Sequence, residues 1–100
     1  MEQNKATKSY REGLIDRLRV SEELQLEHLS SALEDDMPDV FLLALRDVVE
    51  ARGLARFAEE ADLNREHLYR ILSKDGNPKL DSFFKILKAL GFSLSLKKAA

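Results

Sequence analysis

Apolar residues recur along this chain at helical spacing in a succession of stretches, and capping or turn residues separate them. Residues 1–12 are polar and show no apolar period, so the reading places a mobile tail over 1–13. Leu14, Ile15 and Leu18 are spaced for a helical turn, and a short extended arm over 14–20 fits the same residues. Ser21 before Glu22 and Glu23 is a helix start, with a hydroxyl to accept from a free N–H and carboxylates at the positive end of the dipole. Leu26, Leu29 and Leu33, with Ala32 beside them, then predict an amphipathic helix over 22–34.

Glu34-Asp35-Asp36 is an acidic break, and Pro38 suits the first turn of the next helix. Phe41, Leu42, Leu45, Val48 and Val49 keep the helical period up to about Arg52, where Gly53 supplies a stop. A helix over roughly 55–61 is too short to stand alone, so Leu54, Phe57, Ala58 and Ala61 must dock it on its neighbours. After Asp62-Leu63, Asn64 can cap a helix to about Ser73 that turns Leu68, Ile71 and Leu72 inward. Asp75-Gly76-Asn77-Pro78 is turn chemistry, with Gly76 free to take φ > 0. A last helix over about 80–90 carries Phe83, Phe84, Ile86, Leu87 and Leu90 and ends at Gly91. Phe92, Leu94 and Leu96 alternate with polar residues, which predicts a short C-terminal strand needing an edge from a second chain or from the arm at 14–20. The expected fold class is all-α, about five helices with that one strand.

Composition narrows the function classes. One hundred residues suit a single domain. With no Cys, disulfides and thiol chemistry are excluded. No apolar run approaches the ~20 residues that span a bilayer, and the first residues lack a signal-peptide core, so a cytoplasmic chain without a membrane partner is expected. The net charge of −2 hides a division: residues 1–37 hold five Lys/Arg against nine Asp/Glu, a balance of −4. Residues 38–100 hold eleven against nine, a balance of +2. The field at a contacting face matters for a polyanion, not the whole-chain sum.

Enzyme chemistry finds little support. His28 and His67 are far apart in sequence, and no His-Glu-x-x-His, Gly-x-Ser-x-Gly or phosphate-cradling glycine loop occurs. The adjacent pairs Asp35-Asp36 and Glu59-Glu60 splay to different faces of a helix. No catalytic residue, cofactor or metal is expected.

The segment 54–73 is more specific. Two short helices that cross closely need a small residue in the first, here Ala58, and a turn residue tolerant of φ > 0, here Asp62. Phe57, Ala61, Leu63, Leu68 and Ile71 would lock the pair, a helix-turn-helix pattern. That packing leaves Asn64, Arg65, Glu66, His67, Arg70 and Lys74 outside as the candidate DNA-binding residues. Arg65 and Arg70 suit bidentate pairing to guanine and Glu66 can accept from cytosine. Asn64 and the first N–H groups suit a phosphate. Tyr69 is expected to cover the side of the helix.

Residues 38–96 resemble the lambda-repressor-like (Xre/HigA-type) helix-turn-helix domains, and more closely the probable addiction-module antidote family. Phe41–Val48, Asn64–Leu72, the Asp75–Pro78 turn and Lys85–Gly91 carry the resemblance, with the helix at 22–34 similar to the family's N-terminal extension. It implies a lambda-repressor-like bundle divided into a tail (1–13), an extension (14–37) and a DNA-binding domain (38–100). It also implies a homodimeric antitoxin that neutralises a RelE/HigB-like toxin and represses its own operon by binding operator DNA. The family usually has Gly at Asp62 and an acidic residue at Met37, which leaves helix capping there to Asp36 or to water. A stand-alone regulator and a helical adaptor fit the residues as alternatives.

Overall fold

The computed structural model describes residues 9–73 and 75–100, which hold six helices. These are α1 (Tyr10–Arg19), α2 (Glu22–Leu33), α3 (Pro38–Arg52), α4 (Leu54–Glu60), α5 (Arg65–Ile71) and α6 (Leu80–Leu90). The residues left open between a helical turn and an extended arm belong to α1. Its first turn, from Tyr10, falls within the stretch expected as tail, and residues 1–8 lie outside the described residues. Ser9 explains where α1 begins. Its Oγ accepts from Glu12 N–H at 3.1 Å while its own N–H donates to Glu12 Oε1 at 3.0 Å, a reciprocal capping box. Ser21 caps α2 as expected, accepting from Leu24 N–H at 3.1 Å. Met37 gives α3 no side-chain cap, and the capping expected of Asp36 is absent; Asp35 Oδ1 instead accepts the Met37 N–H at 3.2 Å.

The centre of the fold is α3, which packs against α1, α2 and α4. Leu45, Val48 and Val49 are wholly buried there, joined by Leu18, Leu29, Phe57, Leu68, Ile86 and Leu90 from the other five helices. Phe41 meets Phe83 of α6 edge-to-face with ring centroids 5.9 Å apart. A fully buried Leu or Phe side chain contributes about 1.5–3 kcal/mol, so the seven-residue α4 and α5 owe their stability to this core.

On α2 the inward face differs from expectation. Leu29 and Ala32 are buried as expected, but Leu26 and Leu33 are about half exposed and Gln25 is buried in their place. Both sets fit a helical period. What decides is that Gln25 finds partners for its amide: Nε2 donates to Leu18 O at 2.8 Å, and Oε1 accepts from Arg52 Nε and Nη2 at 2.9 and 2.7 Å. A buried amide with its bonds made costs little, whereas one left unpaired costs about 1–3 kcal/mol.

A charged chain ties α1 and α2 to α3. The carboxylate of Asp47, only 5% exposed, takes Arg11 Nη2 at 2.8 Å and lies 3.1 Å from His28 Nε2. Arg11 Nη1 also reaches Glu50 Oε1 at 2.9 Å, and Arg46 Nε meets the other Glu50 oxygen at 2.9 Å. Burial pushes the Glu50 carboxyl up, but the bonds from Arg11 and Arg46 outweigh it and hold it below the usual carboxylate range. The Glu50 bond in turn raises the Arg11 guanidinium.

The C-terminal strand is not present among the described residues. Residues 92–100 are irregular after Gly91, which takes φ 85° and closes α6 with Phe92 N–H on Leu87 O at 3.0 Å. The arm that was one candidate edge has become α1, whose N–H groups are spent within its own helix, and a strand without an edge has no ladder. Gly76 also acts differently from expectation: its φ is not positive. A Cβ at that position would fall 2.1 Å from Ile71 O, so glycine is needed there for close approach to the end of α5. Among the described residues no helix is long and apolar enough to cross a membrane.

Two outcomes are expected. Gly76→Ala should lower stability by about 2 kcal/mol, on the scale of forced overpacking; an unchanged thermal midpoint would show that the turn yields. Ionised Glu50 stabilises the fold above its unfolded-state pKa, and this is lost as pH falls through its lowered folded value. Glu50→Gln should therefore melt below the parent at neutral pH, with the gap narrowing in melts run from about pH 7 to about pH 3. A gap constant with pH would show that the lost packing, not the charge, matters.

Candidate nucleic-acid interface

The turn between α4 and α5 is built from its backbone bonds. Asp62 N–H donates to Glu59 O at 3.2 Å and Leu63 N–H to Ala58 O at 2.9 Å, which ends α4 in a Schellman arrangement. That closure needs a left-handed residue, and Asp62 supplies it with φ 58°, where a glycine is usual. Ala58 is buried at the crossing, with Phe57, Ala61, Leu68 and Ile71 buried around it and Leu63 half-buried. The residues expected to lock the two helices are therefore inside.

Asn64 begins α5. Its Oδ1 accepts from His67 N–H at 3.0 Å and its carbonyl from Leu68 N–H at 2.8 Å, so the amide NH₂ is the part left to donate outward. With Leu68 and Ile71 inward, Arg65, Glu66 and Arg70 stand exposed on the opposite side, and His67 is half-buried between. Arg70 Nη2 lies 3.2 Å from His67 Nδ1. A guanidinium can only donate, so Nδ1 accepts and the neutral imidazole carries its proton on Nε2. The structure thus brings Arg65, Glu66, His67 and Arg70 onto one seven-residue helix, with Asn64 as its cap. Lys74 lies outside the described residues.

Sequence reasoning missed what holds α5 from behind. Arg46 of α3 donates from Nη2 to Tyr69 Oη at 3.0 Å, and its guanidinium stands 4.8 Å from the centroid of the Tyr69 ring. Because Arg46 also grips Glu50 and Glu50 takes Arg11, a continuous run of polar contacts links α1 through α3 to α5. The Arg46–Glu50 pair was legible at i, i+4 spacing; its partners 23 and 39 residues away were not. Tyr69, expected to cover the side of the helix, is the point where α3 reaches it.

The arrangement offers donors and acceptors on a convex helix face rather than a closed pocket. A cleft of about 650 Å³ lies elsewhere, where the ends of α1 and α3 meet the starts of α2 and α4, among residues such as Arg19, Glu22, Gln25 and Arg52. Among the described residues no group of three or more His, Asp or Glu could hold a metal ion.

Comparison with known proteins bears on the whole chain. The family described as "Probable addiction module antidote protein" matches residues 13–98. An uncharacterized protein of Haemophilus influenzae is 34% identical over 84 residues, which covers 84% of this chain and 86% of that protein. No solved structure matches significantly. The matched span runs from the middle of α1 past the end of α6 and takes in every element of the interface: the chain belongs to the probable addiction module antidote family.

Proposed function

We propose that this chain is a cytoplasmic antitoxin of a type II toxin–antitoxin module, which neutralises a RelE/HigB-like toxin and represses its own operon. Family membership supports the antidote role. The observation that carries the DNA-binding half is the two-sided build of α5. Its back is fixed by Leu68, Ile71 and the Arg46–Tyr69 contact, and its front offers Arg65, Glu66 and Arg70 with the Asn64 amide at its start. A lambda-repressor-like helix-turn-helix would insert that front into the major groove, where residues near the helix start reach base edges. In this reading Arg65 and Arg70 pair with guanine, Glu66 with cytosine, His67 adds an Nε2–H donor, and Asn64 and Lys74 contact the backbone.

The proposal includes a homodimer on a palindromic operator, with two recognition helices ~34 Å apart. It keeps residues 38–100 as the DNA-binding part and 14–37 as an extension. The acidic balance of residues 1–37 is opposite in sign to a basic RNA-cleaving partner.

Arg65→Ala and Arg70→Ala should each weaken operator binding by about 1–3 kcal/mol and relax sequence preference. Binding by the parent should fall steeply with salt, since phosphate contacts release counterions. Anisotropy titrations on the chain's own promoter fragment test both. Unchanged affinity and preference in the two variants would remove α5 as the reading helix. Co-purification with the product of the adjacent reading frame tests the toxin partner.

A further inference from the structure

An apolar groove of about 350 Å³ lies where the end of α2, the start of α3 and α6 meet, lined by Leu33, Met37, Phe41, Leu42, Pro78 and Phe83. Leu33 and Met37 are more than half exposed. Asp35 and Asp36 line one side of it, both exposed. The proposed function gives this surface nothing to do.

The chain also has an unpartnered segment of complementary character. Beyond Gly91, the Phe92 ring is held 5.7 Å from the Arg52 guanidinium at the far end of α3. After it the chain runs on as Ser93-Leu94-Ser95-Leu96-Lys97-Lys98, irregular and exposed, with Leu94 45% and Leu96 100% exposed. Two leucines followed by two lysines match an apolar groove edged by two aspartates.

The tail leaves the groove of its own chain open: Leu96 is fully exposed, and the tail's root at Arg52 is a full α3 length, about 21 Å, from Pro38. In a two-fold pair each tail would occupy the other's groove, so every contact counts twice.

We propose that the homodimer is built by reciprocal tail docking: Leu94 and Leu96 of one copy enter the groove of the other, and Lys97 and Lys98 lie against its Asp35 and Asp36. This rests on the homodimer of the proposed function and says where its surfaces are. Each side buries apolar surface now in water, and the opposite charges fix which way the tail runs.

The full chain lacks cysteine, so cross-linking reads the contact directly. Chains carrying Met37→Cys and chains carrying Leu96→Cys, mixed and oxidised, should give a disulfide-linked heterodimer in preference to either homodimer. Independently, Lys97→Glu/Lys98→Glu or Asp35→Lys/Asp36→Lys should each weaken self-association at least tenfold in sedimentation. A mixture of the two charge-reversed chains should pair opposite charges in both contacts, Glu tail on Lys groove and Lys tail on Asp groove, and restore association. All these positions are exposed, and a circular-dichroism melt checks the fold of each variant.

Preferential Leu96→Cys homodimers, or loss of association on altering the tail but not the groove, would mean tail-to-tail strand pairing and overturn the proposal. A parent chain that stays monomeric at every concentration would overturn the homodimer reading along with it. A dimeric parent indifferent to all these changes would overturn tail docking alone.

Discussion

The buried carboxylate of Asp47 sets the terms for the rest of the structure. It sits on the central helix α3, beside Val48 and Val49, and a charge so placed must be paired or it destabilises the fold strongly. Its partners come from different helices: Arg11 from α1 and His28 from α2. Satisfying one group therefore fixes two helices at once. Arg11 then extends the arrangement to Glu50, Glu50 to Arg46, and Arg46 to Tyr69 on α5. Apolar burial supplies most of the stabilisation, but it is non-directional. The ionic chain tells each helix which way round to lie.

That chain ends behind the helix whose outer face carries the proposed DNA contacts. A reading helix needs its side chains held in register with base edges, and a seven-residue helix cannot hold itself. The Schellman closure at Asp62, the Asn64 cap and the Arg46–Tyr69 contact each restrain a different part of it: the entry, the first turn and the side toward α3. Membership in the antidote family gives this geometry its biological setting. At the opposite end of α3, Arg52 anchors the Phe92 root of the tail, a helix length from the groove at the start of α3.

Local chemistry was legible wherever neighbours in sequence are neighbours in space. Ser21 and Asn64 announced helix starts because a cap bonds two or three residues ahead. Gly53 and Gly91 announced stops, and Asp62 the left-handed turn, because backbone sterics act within a residue or two. Where two local solutions were equally good, the reading chose the more apolar and went astray. Leu26 and Leu33 keep a helical period as well as Gln25 and Ala32 do, yet Gln25 is inside because Leu18 and Arg52 happen to satisfy it. At Gly76 the constraint is the Ile71 carbonyl rather than φ, a contact with no signature in the turn residues themselves.

The sequence by itself determined the all-helical class, most of the helix boundaries and which face of α5 is left to solvent. These follow from periodicity and capping, whose range is one or two turns. Only the tertiary structure decided that no strand forms after Gly91 and that Arg11, Asp47, Glu50, Arg46 and Tyr69 act together. Apart from the i, i+4 pair Arg46–Glu50, those contacts join residues 23 to 39 apart. They exist because burial packs α1 on α3 and, through α4, brings α5 within reach of the Arg46 side chain, and a pairing that burial creates leaves no mark in the spacing of the chain.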